Sequence, residues 1–249
     1  LKGSLNKEDW TTIKNMTGLS YLDMTETTVT EIPAEAFTNN RIKTIKWPAN
    51  LKVIGGKAFY DKYLKGHLVL PETLDSIGPS AFYRNSIDSV SMPHKQIALA
   101  NSIFSENTNL KTVKFNSCAS YMPSSMFYNC TSLQSVSGTE SVTAVYGRAF
   151  FQCRELTSAG AMIPTTLGDY AFNECGKLEA IDLSEVTSLG ERAFVSCKSL
   201  KTVDLPKVSS MKEVCFNSCS ALTSVSIGDG LSTIPYAAFA GCSALKTIT

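Results

Sequence analysis

Ten phenylalanines set the limits on what this chain can fold into. Phe37, Phe59, Phe82, Phe104, Phe127, Phe150, Phe172, Phe194, Phe216 and Phe239 follow one another at steps of 22 or 23 residues. A period in the range of ~20–29 residues is the mark of a solenoid, in which each unit is one coil and stacked coils bury each other's apolar faces. Aligned on the phenylalanines, the unit reads L-x-x-V-x-L, then an aliphatic residue five positions before the Phe, then A-F-x-x-C. Its clearest copies run from Leu178 to Cys242.

Two periodicities sit inside the unit. V-x-L alternates with period two, so its apolar residues share one face of a short strand. The spacing Ile32-Pro33-Ala34-Glu35-Ala36-Phe37 suits one or two turns of tight helix on the opposite wall, and Pro33, Pro79, Pro123 and Pro235 open such turns where a fixed φ and a missing N–H cost little. The expected fold is therefore an α/β repeat, a right-handed solenoid with a parallel sheet on one face and short helical turns on the other. Eleven strands are expected: Leu19–Met24, Ile42–Trp47, Leu64–Leu70, Ile87–Met92, Leu110–Phe115, Leu133–Val136, Leu156–Ala161, Leu178–Leu183, Leu200–Leu205, Leu222–Ile227 and Leu245–Ile248. Gly138, Ala159 and Ala161 stand where larger apolar groups usually sit, so thinner packing is expected there.

Residues 1–18 differ from the rest. Asn6 reads as an N-cap, Glu8 and Asp9 supply first-turn acids, Leu5 is placed to staple against Trp10, and Ile13 and Met16 continue an apolar stripe,. This predicts an N-terminal capping helix over 1–18, followed by a solenoid of about ten repeats over 19–249. The chain starts at Leu1 without a methionine, as expected of a processed form. It stops at Thr249 inside a strand, leaving an edge for a continuation or a partner,.

The pattern resembles the BspA-type leucine-rich repeats of bacterial and some protozoan cell surfaces. The likeness spans about residues 19–249 and rests on A-F-x-x-C followed by S-L-x-x-V-x-L-P, clearest from Ala193 to Pro206. It implies a scaffold on the cell surface or outside the cell, adhesin-like in the members with a proposed role, and it carries over no catalytic residue.

Composition narrows the function further. A net charge of +1 does not indicate a nucleic-acid partner,, and no apolar run approaches the ~18 residues of a membrane span. Of the eight cysteines, Cys130, Cys153, Cys175, Cys197, Cys219 and Cys242 lie three residues after a repeat phenylalanine. Asn40, Asn85 and Asn107 fill that position earlier, with Lys62 the exception. The column is expected to point inward, with Asn bonding backbone and Cys as a small apolar filler. Parallel stacking points neighbouring Cβ vectors the same way, so these thiols are expected to be free. Cys215 replaces the Ala before the Phe, and Cys118 lies outside both columns. No spacing suits zinc, no cofactor is indicated, and no familiar catalytic motif is present.

His67 is expected on the solvent side of a strand and His94 in a turn, neither near a metal-ligating cluster,. Asp182 and Asp204, on adjacent coils, could stand at about the ~5 Å strand spacing, close to the carboxylate separation of retaining glycosidases. An open sheet without a cleft argues for a solvated column instead. The outward sheet positions are the best functional clue. Tyr21, Thr44, His67, Ser89, Thr112, Ser135, Thr202 and Ser224 fall in one column, and Lys114, Asp182, Asp204 and Ser226 in the next. They are mostly short and polar, suited to a broad hydrogen-bonding face for a large partner such as a host protein or glycan. Ser and Thr also favour strands for structural reasons alone. An inert spacer for another domain is the alternative, and a glycan-active enzyme has the least support in the residues.

Overall fold

The structure is a computed structural model describing residues 1–61 and 63–249; Lys62, the exception in the cysteine and asparagine column, lies outside the described residues. It is a stack of coils. All ten repeat phenylalanines lie inside, nine of them fully buried and Phe239 half-buried. Their rings form an unbroken ladder, with successive centroids 4.8–6.1 Å apart from Phe37 to Phe239. Trp10 of the N-terminal helix adds an edge contact to Phe37 at 5.9 Å.

The front wall carries the V-x-L strands in parallel register, their apolar residues buried and the alternate ones turned outward. Nine of the eleven expected strands are present, all but Ser86–Ser91 in shortened form, and they do not make one sheet. Tyr21–Asp23 pairs with Thr44–Lys46. Lys65–Val69, Ser86–Ser91, Thr112–Lys114 and Ser135–Ser137 make a second group. Thr202–Leu205, Ser224–Ile227 and Thr247–Ile248 make a third. The expected strand at 156–161 survives only as a single bridge between Ser135 and Ser158, and 178–183 is not a strand. The cause lies at Gly160, whose φ of +77° turns the chain out of the extended region. A Cβ there would meet the Thr139 hydroxyl oxygen at 2.2 Å. The coil after Gly160 therefore has no straight neighbour on that side.

The opposite wall corrects the expected helical turns. The chain holds one α-helix, Lys7–Lys14, among the described residues, and every coil but the last instead adds a two-residue parallel strand ahead of its Phe. These make two further sheets, from Glu31–Ile32 to Ala98–Leu99 and from Tyr121–Met122 to Ser210–Met211. Around each Phe the chain runs through successive i→i−3 turns broken by left-handed residues. The residue two before every repeat Phe has φ between +51° and +63°, a conformation that costs most residues about 1–2 kcal/mol. That geometry turns peptide N–H groups toward the next coil. Arg148, Phe150 and Gln152 donate to the carbonyls of Asp169, Ala171 and Asn173 at 2.9, 2.8 and 2.8 Å, and the same three-bond set recurs along most of the stack. A local cost is thus offset by three inter-coil bonds. At Gly190 a Cβ would lie 2.3 Å from the Gly168 backbone, so a side chain there would force the coils apart.

The Cys and Asn column does one job in two chemistries. Asn107 donates its amide to the carbonyls of Phe82 and Phe104 at 2.8 and 2.9 Å. Cys175 donates its thiol to the Phe150 carbonyl of the preceding coil at 3.1 Å, and the other five column cysteines repeat this at 3.1–3.2 Å. The thiols are donors as well as fillers. Burial pushes the Cys175 thiol far above its ordinary range, which keeps the proton in place,. All eight cysteines are free and buried.

At the N-terminus Asn6 is the cap, accepting from the amides of Glu8 and Asp9 at 2.8 and 3.0 Å, while Asp9 accepts from the Asn6 amide at 2.8 Å. Ile13 is buried, but Met16 is exposed and leaves the expected stripe. Asn40 ties the helix down by donating to the Ile13 and Met16 carbonyls at 2.9 and 2.7 Å. Lys2–Gly3 adds a strand beside Glu26–Thr27.

Two stability outcomes follow. Phe172→Ala should cost about 3–5 kcal/mol in chemical denaturation, the range for a large aromatic cavity; a loss under about 1 kcal/mol would mean the ladder is not the core. Val214 holds a β-branched side chain at φ +63°, so Val214→Asn, which tolerates that region better, should stabilise by about 0.5–1 kcal/mol. A drop in melting temperature would show that the backbone there is unstrained.

Candidate functional site

The front face keeps its outward residues in straight rows because the strand register is fixed from below. His67, Ser89, Thr112 and Ser135 stand side by side, with Lys114 between Ser91 and Ser137 in the next row. Thr202 lies beside Ser224 and Asp204 beside Ser226. Tyr21 lies beside Thr44. Asp182 stands apart, on the coil that does not form a strand. The expected face is therefore three patches.

Each patch has its own hydrogen bonding. His67 is exposed, its ring nitrogens 2.6 Å from Ser89 Oγ and 3.2 Å from Ser91 Oγ, so two hydroxyls hold the ring. Asp23 accepts from the Thr25 hydroxyl at 2.7 Å and its amide at 3.1 Å, with Lys46 Nζ at 3.3 Å, and these contacts hold its carboxyl far below the ordinary range. His94 sits in a turn as expected, but with a partner. Its backbone amide and Nδ1 both meet the Glu72 carboxylate at 2.8 Å.

The two carboxylates have different surroundings. Asp182 accepts from the Ser184 hydroxyl at 2.6 Å and its amide at 2.9 Å, which lowers its pKa. Asp204 pairs in register with Ser226, on the coil away from Asp182. A proton-donating carboxyl needs the opposite shift. Among the described residues no group of three His, Cys, Asp or Glu side chains comes together as a metal cluster, and no helix is long and apolar enough to cross a membrane.

The split between the first two front patches was not legible in the sequence. At the end of each V-x-L strand the backbone amide donates to the next coil, as Met24 to Lys46, Leu70 to Ser91 and Met92 to Lys114. At Trp47 the indole Nε1 takes that place instead, reaching the Val69 carbonyl at 2.8 Å. The ring stands edge-on to Phe59 at 5.7 Å. A bulky indole at a position held by Met24, Leu70, Met92 and Phe115 in the neighbouring coils thus wedges Thr44–Lys46 away from Lys65–Val69. A depression of about 220 Å³ opens between them, lined by Lys43, Thr44, Trp47, Lys65, His67 and neighbouring aliphatics. Trp47 breaking the aliphatic column was the available signal.

Residues 30–157 and 165–249 match the profile of the BspA type leucine rich repeat region, in six copies. Among solved structures, the pneumococcal vaccine antigen PcpA is 16% identical, with a TM-score of 0.52 over 99% of this chain and 80% of that one. A leucine-rich repeat protein from Bacteroides ovatus is 22% identical, TM-score 0.47, over 92% and 78%. A leucine rich cell surface protein from Faecalibacterium prausnitzii is 19% identical, TM-score 0.44, over 93% and 87%. The likeness to the pneumococcal antigen supports the stacked-coil fold. No curated protein matches the sequence.

The wedge gives a direct test. Trp47→Leu should let the backbone amide at position 47 take up the Val69 carbonyl, so its hydrogen exchange should slow about tenfold or more. Unchanged exchange at positions 44–47 would assign the split to something other than the indole.

Proposed function

The chain belongs to the BspA-type leucine-rich repeat family, and we propose that it is a non-enzymatic binding scaffold, adhesin-like, displayed on the cell surface or secreted. The observation that carries this reading is the front face itself. Rows of short polar residues, from His67 to Ser135 and from Thr202 to Thr247, are held in register by buried Val and Leu neighbours. Such a surface offers many directional contacts but does not converge on a reacting atom.

In this reading residues 1–18 cap a solenoid of residues 19–249. Tyr21, Thr44, His67, Ser89, Thr112, Lys114, Ser135, Asp182, Thr202, Asp204, Ser224 and Ser226 make up the binding face. The partner is large, a host protein or a glycan, and neither a nucleic acid nor a cofactor is involved. Weak contacts spread over such a face gain strength through multivalent display. A spacer role is favoured only for the flanks, where opposite charges on successive coils pair with each other, as Glu185 with Lys207 at 2.7 Å.

Thr202→Arg and Ser224→Arg should abolish binding in host-protein and glycan-array assays while shifting the melting temperature by less than about 2 °C. Arg148→Ala and Lys198→Ala, on the turn side, should bind normally. The reverse pattern would place the binding surface on the turn side, and glycan turnover lost on changing Asp182 or Asp204 would make the protein an enzyme.

A further inference from the structure

One pair of coils on the front face departs from the charge pairing found further along the same wall, and the inference drawn from it rests on the scaffold reading above. There, neighbouring coils set opposite charges side by side: Glu155 and Lys177 at 2.5 Å, Glu179 and Lys201 at 2.9 Å. Lys43 and Lys65 occupy the same column as Glu179 and Lys201. They are direct neighbours, the Lys65 amide donating to the Lys43 carbonyl at 3.3 Å. Both are cations. Among the described residues neither ammonium has an ion-pair partner, whereas Lys46 of the same patch is paired with Asp23. Like charges placed side by side repel, so the pair works against the stack unless an anion sits between them.

The Trp47 wedge opens the sheet at this point. Lys43 and Lys65 line the resulting depression together with Thr44, Trp47 and His67, and no carboxylate among the described residues lines it. Two ammonium groups, a hydroxyl, a fixed imidazole and an aromatic wall thus surround a space of about 220 Å³.

We propose that this depression binds one carboxylate-bearing sugar residue of an acidic oligosaccharide. The two lysines would neutralise the carboxylate, Thr44 would meet a ring hydroxyl, and the indole with its aliphatic neighbours would take the apolar side of the sugar ring, while His67, both of whose ring nitrogens are held by Ser89 and Ser91, would serve as a fixed wall,. An acidic peptide fits less well. Strand addition needs a sheet edge open along its length, and here the facing edges are already bridged, by the Lys65 amide on the Lys43 carbonyl at 3.3 Å and by the Trp47 indole on the Val69 carbonyl at 2.8 Å. What remains between them is a slot.

Isothermal titration calorimetry on the intact protein tests this with trigalacturonate, 3′-sialyllactose, lactose and a hexaglutamate peptide as probes. At least one acidic oligosaccharide should bind, lactose should not, and affinity should fall as salt is added. The double variant Lys43→Met, Lys65→Met should weaken binding about tenfold or more without lowering the melting temperature. Lys111→Met with Lys198→Met, outside both the slot and the binding face, should bind as the parent does. Equal binding of lactose, salt-independent binding, or an unchanged double variant would overturn the site. Hexaglutamate binding as tightly, with the same lysine dependence, would overturn the sugar in favour of an acidic peptide. If no acidic sugar binds while Thr202→Arg and Ser224→Arg still abolish partner binding, this site fails and the scaffold reading stands.

Discussion

The structure depends on one repeated contact, the donation of the peptide N–H of every repeat phenylalanine but the last to a carbonyl of the following coil. Phe150 to Ala171 and Phe172 to Ala193, each at 2.8 Å, are typical. The contact requires left-handed residues beside it, so it has a steric cost at the turn. It also fixes the axial distance between coils, which places consecutive rings 4.9 Å apart at Phe150 and Phe172 and 5.3 Å apart at Phe172 and Phe194. Ring stacking and peptide bonding therefore enforce the same spacing. Neither alone would: burial of the rings is non-directional, and isolated turns bury too little to persist.

Once that spacing is set, other columns are constrained to match it. From Phe59 to Phe216 the carbonyl of the Phe points to the next coil, and a thiol or a side-chain amide three residues after the next Phe reaches it. That constraint explains why Asn and Cys exchange in one column although they share little else: each is small enough for the interior and carries a proton to donate. On the surface the same spacing brings residues 22 apart together, so acid on one coil and base on the next form pairs at 2.7–2.9 Å, as in Glu185 with Lys207 and Glu179 with Lys201. Exposed pairs of this kind contribute little stability singly. Their more useful effect is on register, since a shifted coil would set like charges together.

The sequence showed the period, the buried ladder and the outward front columns, because each is a repeated residue type at a fixed offset. It did not show the second wall. Two-residue strands such as Val53–Ile54 are shorter than any alternation that could reveal them,. The left-handed turns are hidden for a related reason. Glu35, Lys57, Arg148 and Val214 all adopt φ near +60°, and nothing in those side chains signals it, since inter-coil bonding imposes the conformation on residues of any type. The interruptions of the front sheet were half visible: Gly138, Ala159 and Ala161 marked a weak unit, but the backbone turn is at Gly160. Among the candidate site residues, the rows His67 to Ser135 and Thr202 to Ser224 were readable as columns. The loss of the strand under Asp182 was not, since nothing in residues 178–183 departs from the pattern of its neighbours.

In a repeat protein most residues are explained by the repeat, so the informative ones are those that depart from it. Trp47 costs a backbone bond between coils and substitutes an indole for it. Lys43 and Lys65 set a repulsive pair where other coils set an attractive one. The two departures meet at one opening on the front face, and each makes the stack less regular. A stack selected only for stability would carry an aliphatic residue at position 47 and an acid at position 43. Their coincidence is a physical reason to seek recognition there, before the regular rows of Ser and Thr, whose presence the strands already account for.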